Sequence, residues 1–554
     1  MKTIHGRTFL CLFLAFALMA SFAGCQSSQP NPDGGKKPTS SKDPGKTKER
    51  GSISATVYDR GAVPAAEGTI EENRWTKWIN ENGPVDVKFV AVPRTESGQK
   101  LNTLFASGSA PDLIFEFSPS VKTPLYDQKQ LMPIDEMIDK YSTNYKNLLK
   151  EYPSLKKAAI MPDGKMYQFG KINSMTPLRG VVIRSDWLKG LNLEVPKTLE
   201  DYYKVAKAFT EQDPDGNGKK DTFGIAMSYR AGETVSQMFQ VGWMVEDGKL
   251  IKEWDHTAER LKFQIRLYDE GLIDKDYLND NTGARALQDF VNGKVGILPW
   301  LFSWRDFTIK EYATLKDNVP EAKLEAIPYP EMEYGRFNPT LENPVQMTAV
   351  VNAKCKDPKA VMQYVDFMCS EKAGLAIKYG LEGEHYKLVE GKPVITDTEK
   401  FKSEVSWAGG GFGMLMSAPV MKPYASETAD FNLDHPIEKE GYELYKQAIE
   451  VYLDPSVPYP ELTHSEHMPQ LPKDLNVLKA NIDTDDFMAK AVVSGSSYTV
   501  DQAIKDAKNA WEKGGGKDIE KWMANWYDKD SDNAFLAKDM YEIMKEEDLI
   551  HQLK

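Results

Sequence analysis

The chain has 554 residues, of which 41% are hydrophobic and 27% are charged, and its formal net charge is −13. This length allows two lobes with separate cores, and the composition is that of a globular protein. The acidic balance argues against a nucleic-acid-binding protein, because such proteins cluster cationic side chains on their binding face.

Residues 1–24 have the layout of a secretory signal peptide. Lys2 and Arg7 are followed by an apolar run from Phe9 to Phe22, which is shorter than the ~20 residues that span a bilayer. The next residues end at Cys25, and the sequence Phe-Ala-Gly-Cys resembles a lipobox. We therefore predict cleavage before Cys25 and lipidation of its sulfur. An ordinary secreted protein with an incidental cysteine is the alternative.

The segment 25–52 is predicted to be a lipidated cysteine followed by a disordered tether. It consists largely of Ser, Pro, Gly, Lys and Asp, with almost no apolar side chain to bury. An anchored chain with such a tether would stand on the extracellular face of a cell membrane, most simply in a Gram-positive bacterium.

The folded body opens with alternating strand and helix patterns. Strands are predicted at 53–57, 85–91 and 112–117, and helices around 71–79 and 101–105. This order indicates an α/β lobe with a largely parallel sheet.

Polar and aromatic residues follow each of these three strands. In open α/β sheets, ligands bind beyond the carboxyl ends of the strands. The predicted ligand-binding residues at this rim are Asp59, Arg60, Arg94, Glu116 and Phe117. Each of them could instead simply solvate a loop.

Later strands are predicted at 181–183, 295–300 and 347–351, and the last ~70 residues read as helices. Thr198 and Asp201 form the pattern of a capping box that opens a helix to about Phe209. A helix is also predicted over 361–368.

Three tryptophans are candidate sugar-binding residues, because aromatic rings stack on the apolar faces of pyranose rings. Trp300 and Trp304 follow a predicted strand, and Trp407 precedes the glycine-rich run 409–413. Tryptophans in helical patterns, at 75, 78, 187, 511 and 522, are predicted to be core residues.

The sequence from Asp213 to Asp221 resembles the first part of an EF-hand calcium loop. Side-chain oxygens of Asp213, Asp215, Asn217 and Asp221 and the carbonyl of Lys219 would suit a structural Ca²⁺ ion. Gly224 stands where the loop normally has a bidentate glutamate. The alternative is a turn rich in Asp, Asn and Gly.

Motifs of common enzyme classes are missing from the sequence. It has no HExxH, no GxSxG and no P-loop. A carboxylate pair for glycoside hydrolysis can be distant in sequence, so a polysaccharide-degrading enzyme remains an alternative. Cys355 and Cys369 have no metal-ligand spacing, and we predict buried free thiols, with a disulfide as the alternative.

A resemblance to a known family rests on several motifs in a shared order. The run 106–112, Ala-Ser-Gly-Ser-Ala-Pro-Asp, is similar to a signature of family 1 extracellular solute-binding proteins. The segments 59–61, 73–75, 184–188, 213–221 and 380–386 resemble its lipoprotein branch, which includes LplA- and YtcQ-like proteins and alginate-binding receptors.

This resemblance implies a type II periplasmic-binding-protein fold with two lobes joined by a hinge. Lobe 1 would comprise 53–180 and 297–352, and lobe 2 would comprise 181–296 and 353–554. Glu116 and the loop at Asp59 and Arg60 would face sugar. The alginate-binding relatives hold calcium in a similar loop, but with an acidic residue where this chain has Thr222.

The implied function is capture of an oligosaccharide by lobe closure and its delivery to the transmembrane subunits of an ABC importer. The protein would be a monomer without catalytic activity. Uronic-acid-containing sugars are one expected class, since Arg60, Arg74 and Arg94 could each pair a carboxylate. A receptor for peptides or other solutes is a further alternative.

Overall fold

The computed structural model describes residues 50–543, apart from 340, 342–343, 426–430, 455, 461, 463–470, 535, 538 and 541–542. The predicted signal peptide, the lipidation site Cys25 and most of the tether lie outside the described residues. None of the helices in the described part of the chain has the length and apolar character needed to cross a membrane.

The strands alternate with helices along much of the chain. The strands are β1 Ser52–Asp59, β2 Asp86–Pro93, β3 Leu113–Phe115, β4 Gln168–Ile172, β5 Arg179–Arg184, β6 Phe223–Ile225, β7 Trp243–Glu246, β8 Lys249–Lys252, β9 Val295–Leu301, β10 Leu324–Ile327, β11 Val345–Val351, β12 Tyr386–Val389 and β13 Lys392–Ile395. The helices are α1 Arg74–Asn82, α2 Ser97–Ala106, α3 Pro119–Asp127, α4 Asp135–Tyr141, α5 Asn144–Glu151, α6 Pro153–Ala159, α7 Ser185–Gly190, α8 Leu199–Glu211, α9 Tyr229–Met238, α10 Asp255–Asp269, α11 Ala284–Val291, α12 Trp304–Phe307, α13 Ala313–Asn318, α14 Pro358–Met368, α15 Glu371–Tyr379, α16 Thr398–Glu404, α17 Gly409–Phe412, α18 Ala418–Met421, α19 Pro436–Tyr452, α20 Lys473–Ala480, α21 Asp485–Ser494, α22 Val500–Lys513 and α23 Gly516–Asp530.

The first sheet has five strands in the order β2-β1-β3-β11-β4. β1 is parallel to β2 and to β3, whereas β11 runs antiparallel to β3 and β4. The alternating side chains Ile53, Ala55 and Val57 are buried in the core of this sheet. The predicted parallel arrangement of the first three strands is therefore confirmed.

The second sheet has four strands in the order β10-β5-β9-β6. β5 is antiparallel to both of its neighbours, and β6 is parallel to β9. The strands predicted at 181–183 and 295–300 are confirmed as β5 and β9. The sequence patterns did not predict β4 and β10.

Helix α8 begins with the predicted capping box. The Thr198 hydroxyl accepts from the Asp201 amide at 3.2 Å, and the Asp201 carboxylate accepts from the Thr198 amide at 3.0 Å. The helix crosses the second sheet closely, since a Cβ atom on Gly224 would lie 2.3 Å from the carbonyl oxygen of Ala206.

The lobe division expected from the resemblance differs from the sheet arrangement in two places. β9 and β10 pair with β5, so residues 297–327 belong with the second sheet and not with lobe 1. Helices α14 and α15 bury their apolar faces in the core of the first sheet, so residues 358–379 belong there. The strand-to-strand crossings run through 173–178 and 328–344.

Cys355 and Cys369 are buried free thiols, as predicted. Both lie in the core of the first sheet. Burial raises the pKa of the Cys355 thiol to about 12, with a contribution from the nearby Asp112 carboxylate. Such a thiol is unreactive at neutral pH.

Candidate ligand-binding crevice

The carboxyl ends of three parallel strands bring the predicted rim residues together. β1 ends at Asp59, β2 at Pro93 and β3 at Phe115, and their order in the sheet makes them neighbours. The residues that follow these strand ends surround the ring of Tyr58, which lies in β1 next to its last residue. We call this group, residues 58–60, 94 and 116–118, the rim of the first sheet.

Tyr58 forms the floor of this rim. Its ring stacks on that of Phe117, with centroids 5.6 Å apart and an interplanar angle of 20°. Its hydroxyl accepts from the Phe117 amide at 3.4 Å. Burial raises the pKa of Tyr58 well above its usual value, and the nearby Glu116 carboxylate adds to this effect. Only 1% of Tyr58 is exposed, so its ring is a fixed, neutral support beneath Phe117 and not an open face for a ligand.

Arg60 and Arg94 lie over this aromatic floor. The guanidinium carbon of Arg94 is 5.0 Å from the Tyr58 centroid and 5.4 Å from that of Phe117, and that of Arg60 is 5.6 Å from the Tyr58 centroid. The Arg60 Nε donates to the Gly410 carbonyl at 3.1 Å. The rim thus combines the partly exposed ring of Phe117 with hydrogen-bond donors, which suits a sugar bearing acceptor oxygens.

Glu116 lies beneath this surface, although the resemblance implies that it faces sugar. Its side chain is fully buried, and its Oε1 accepts from the Ser118 amide at 2.7 Å. Its Oε2 has no hydrogen-bond partner among the described residues. Asp59, by contrast, is exposed, and its Oδ1 accepts from the Gly61 amide at 2.9 Å.

The three candidate tryptophans are buried in this structure. Trp300 and Trp304 belong to the core of the second sheet, and the Trp304 indole donates to the Pro177 carbonyl at 2.8 Å. Trp407 lies in the core of the first sheet and donates to the Ser403 carbonyl at 3.2 Å. None of the three offers an open ring face, which corrects the expectation that they line the crevice.

The second sheet presents its own edge to the crossing segments. Antiparallel pairing places the start of β5 beside the end of β9, and the parallel β6 ends at the same edge. Here Arg179 pairs with Glu233 at 2.7 Å, and Tyr229 is 65% exposed at the start of α9. The sequence reasoning missed Tyr229. The Ser228 cap just after an apolar strand was the signal that could have placed it at this edge.

The acidic loop, residues 213–221, folds around its own amides. Asp213 accepts from the amides of Asn217 and Gly218 at 3.1 and 3.0 Å, and the Asn217 side chain donates to Asp215 and Asp221 at 2.7 and 3.1 Å. Burial raises the pKa of the Asp215 carboxyl, and the neighbouring carboxyls of Asp213 and Asp221 add to this effect.

Two residues beside the acidic loop have structural roles. Gly224, at the position of the missing glutamate, faces the backbone of α8 and has no room for a side chain. The buried hydroxyl of Thr222 donates to the Phe209 carbonyl at 2.8 Å. Neither supplies an acidic ligand to the loop.

Among the described residues, one set of three His, Cys, Asp or Glu side chains places its ligand atoms within 4.8 Å of one another: Glu384, His385 and Glu404. Arg74 already balances this group, since its guanidinium donates to Glu404 and lies 3.8 Å from Glu384. Arg74 also makes two bonds to Glu67, at 2.7 and 2.9 Å. It is therefore not available to pair a ligand carboxylate.

Comparison with known proteins finds the same fold and family. Residues 65–375 match the model of the bacterial extracellular solute-binding protein family. Lipoprotein LipO of Bacillus subtilis is 28% identical over 364 residues, which cover 62% of this chain and 69% of the relative. The polygalacturonan/rhamnogalacturonan-binding protein YtcQ of Bacillus subtilis is 25% identical over 528 residues, which cover 92% and 96%.

A third relative has a solved structure. The fructooligosaccharide ABC transporter substrate-binding protein FusA of Streptococcus pneumoniae is 31% identical over 205 residues, which cover 33% of this chain and 38% of the relative. Its structure in complex with kestose superposes with a TM-score of 0.61 at 20% identity, covering 87% of this chain and 100% of FusA. The two-lobe, type II binding-protein fold is thereby confirmed, and the chain belongs to the bacterial extracellular solute-binding protein family.

Proposed function

We propose that this protein is the substrate-binding component of an ABC importer for oligosaccharides. The ligand binds between the two lobes and is delivered to the permease without any bond being made or broken. Binding stabilises the closed arrangement of the lobes, because a ligand that contacts both lobes shifts the equilibrium toward closure.

The rim of the first sheet is the observation that carries this proposal. Phe117 supplies a partly exposed aromatic ring stacked on the buried Tyr58, and Arg60 and Arg94 supply donors beside it. At the start of α9, after the end of β6, the exposed Tyr229 supplies a further aromatic ring. Aromatic faces with a few placed polar groups are the composition of a carbohydrate site.

The names of two relatives support the ligand class. YtcQ is named for binding polygalacturonan and rhamnogalacturonan, and FusA is named as a fructooligosaccharide ABC transporter component. The two named ligand classes differ in charge but are both oligomeric or polymeric carbohydrates.

The first test is a thermal-shift panel of neutral and acidic oligosaccharides on the chain from residue 50 onward, with thin-layer chromatography of each mixture. A melting temperature that rises with one sugar class, with the sugar left intact, supports a receptor. New, shorter products on the plate would replace the proposal with a polysaccharide-degrading enzyme. No shift with any sugar would direct the search to peptides and other solutes.

We further propose that the protein is held on the extracellular face of the membrane by a lipid on Cys25, and acts there as a monomer. The basis is the signal-peptide layout of residues 1–24 and the Phe-Ala-Gly-Cys sequence. Cys25→Ser should release the protein into the medium and abolish incorporation of labelled palmitate. Retention of the variant in the membrane fraction would contradict the proposal.

The acidic loop is proposed to hold a structural Ca²⁺ ion. The carboxylates of Asp213, Asp215 and Asp221 and the amide of Asn217 are oxygen donors of the kind calcium prefers. Millimolar CaCl₂ should raise the melting temperature of the wild-type chain, and Asp215→Asn should remove most of that rise. An equal response of the variant, or of the wild type to MgCl₂, would argue against a calcium site.

A further inference from the structure

The last described residues of the chain return to the first lobe. Helices α21 and α22 pack in the core of the second sheet, and α23 packs against α22 and β8. Helix α23 ends at Asp530. Beyond it, three apolar side chains that are at most 4% exposed lie in the core of the first sheet: Ala537, Met540 and Ile543. We call the described residues of 536–543 the C-terminal segment.

An ion pair with α6 accompanies this apolar contact. The Lys157 Nζ donates to both carboxylate oxygens of Asp539, at 3.2 and 3.1 Å. The Asp539 Oδ2 also accepts from the Leu536 amide at 2.7 Å, which fixes the turn that faces α6. Helix α6 itself belongs to the first lobe, since Leu155 and Ala159 are part of its core. Because Asp539 is buried, loss of its cation would leave an uncompensated charge and would favour release of the segment.

The link between α23 and the C-terminal segment is short. Ser531–Asn533 form a 3₁₀ turn, and the Ala534 amide donates to the Ser531 carbonyl at 3.1 Å. The six residues from Ser531 to Leu536 span at most about 20 Å even when fully extended. A rotation of the second lobe that carries α23 beyond this reach must therefore pull the segment out of the first core.

This link is separate from the segments that connect the two sheets. Those segments, 173–178 and 328–344, join β4 to β5 and β10 to β11. Hinge motions of two-lobe proteins are absorbed by a few residues in such connections. A further tie between the lobes restricts rotation about the hinge, so the range of opening depends on whether the C-terminal segment is docked.

We propose that the C-terminal segment is a latch that limits how far the two lobes open, and that the Lys157–Asp539 ion pair keeps it docked. The docked latch confines the free protein to a narrow range of lobe separations, and its release adds wider arrangements to the ensemble. This inference goes beyond the proposed function, because it concerns the free protein. Its test uses no ligand, so failure of sugar binding would leave the latch standing, and failure of the latch would leave the receptor in place.

The experiment measures the separation of the lobes in the free protein by double electron–electron resonance. Spin labels are attached at two exposed positions, through Thr103→Cys in α2 and Lys204→Cys in α8. The chain from residue 25 onward carries Cys25→Ser, and the buried thiols of Cys355 and Cys369 do not react, so the two labels are unique. Hydrogen exchange of the peptide that contains the latch reports in parallel whether it is docked.

Variants at the ion pair connect the latch to the lobe separation. Lys157→Glu and Asp539→Asn should each speed exchange of the 536–543 peptide about ten-fold or more, and extend the distance distribution by about 5 Å or more toward longer distances. Lys157→Arg, which keeps the ion pair, should behave as wild type. Lys146→Glu is the matched control, because it breaks the pair with Asp139 within the first lobe, and it should change neither readout.

Three results would overturn the latch. Fast exchange of the segment with an unchanged distance distribution would show that it only covers the first core. Slow exchange in both ion-pair variants would show that the pair does not hold the segment. An equal widening in Lys146→Glu would assign the effect to a general loss of stability. Distances are recorded well below the lowest melting temperature, so that each variant compared is folded.

Discussion

A single buried hydroxyl joins three elements of the second lobe. Tyr452, at the end of α19, is 1% exposed. Its hydroxyl accepts from the Val181 amide of β5 at 2.7 Å and donates to the Ile327 carbonyl of β10 at 2.6 Å. Its ring lies against Gly180, where a Cβ atom would be 2.6 Å away. Gly180 leaves room for the Tyr452 ring, and the Tyr452 hydroxyl bonds to two strands of the sheet. The two residues together fix the position of α19 on the sheet.

Tyr452→Phe should lower the free energy of unfolding by about 1–3 kcal/mol. The ring would still fill its space, but the buried Val181 amide and Ile327 carbonyl would lose a partner, and an unpaired buried polar group carries its full desolvation cost. Urea denaturation followed by circular dichroism measures the change. Tyr229→Phe, which alters an exposed tyrosine, should stay within about 0.5 kcal/mol of wild type. A similar loss in both variants would contradict this account.

At the residue scale, the sequence predicted which residues come together at the ends of the parallel strands, because the strand pattern alone places them there. Arg60, Arg94 and Phe117 come together because they follow parallel strands, and that pattern is visible in the sequence. The burial of Trp300, Trp304 and Trp407 was not predictable in the same way. A tryptophan after a strand or beside glycines can turn inward or outward, and only the packing of helices from distant segments decides which.

At the element scale, α8 combines a local start signal with a close long-range contact. Its capping box satisfies the first amides of the helix through Thr198 and Asp201. These hydrogen bonds from the 197–198 backbone and the Thr198 side chain lower the pKa of the Asp201 carboxyl. This part was readable from four residues of sequence. The sequence did not show why residue 224 must be glycine: it lies against the backbone of Ala206 in this helix.

Thr198→Ala should cost about 1 kcal/mol of stability, because the helix loses the side-chain acceptor at its first turn. The midpoint of urea unfolding would show it. Thr103→Ala, an exposed threonine within α2, is the matched control and should have little or no cost, since alanine is the better helix former. An equal loss at both positions would show that the cap is not the cause.

Gly224→Ala should destabilise the protein by about 1–3 kcal/mol or prevent folding, because the added Cβ would overlap the α8 backbone at 2.3 Å and backbone cannot rotate away. Gly190→Ala meets no atom within 4 Å and lies at the end of α7, so it should be neutral or slightly stabilising. Melting temperatures of the two variants test the contrast. A neutral Gly224→Ala would mean that α8 can move away from the sheet.

At the scale of the whole molecule, many tyrosines are fully buried in both lobes. Burial raises the pKa of Tyr145, Tyr202, Tyr329, Tyr364 and Tyr452 above the usual value. In the unfolded chain these groups ionise near pH 10, whereas in the folded chain they stay neutral. Above that pH the unfolded state therefore binds fewer protons than the folded state.

The free energy of unfolding should consequently be flat from pH 8 to about pH 9.5 and fall steeply above pH 10. Each tyrosine that stays neutral only when folded contributes a slope of about −1.4 kcal/mol per pH unit. Urea titrations at pH 8, 9, 10 and 10.5, with tyrosinate absorbance followed in parallel, test this. Ionisation of all tyrosines before unfolding would contradict it.

The two-lobe fold was predictable from the motifs, but the path of the chain between lobes was not. β10 and β4 are short strands without clear alternation, so nothing local showed that 297–327 completes the second sheet. Helices α14 and α15 have amphipathic patterns that predict burial on some sheet. Which sheet they cover depends on contacts with residues some three hundred positions earlier.

The place of β11 in the first sheet has a consequence for the order of events during synthesis. β4 hydrogen-bonds to β11, and β11 hydrogen-bonds to β3. β4 (Gln168–Ile172) can therefore join the sheet only after β11 (Val345–Val351) has been synthesised. A nascent chain that ends before β11 can pair β1 with β2 and β3, but it leaves β4 and one edge of β3 without a partner, and closing so long a loop makes folding slow. A chain that reaches its final form late stays extended long enough to thread through a narrow protein-conducting channel. Slow folding would in that case favour passage to the outside of the cell.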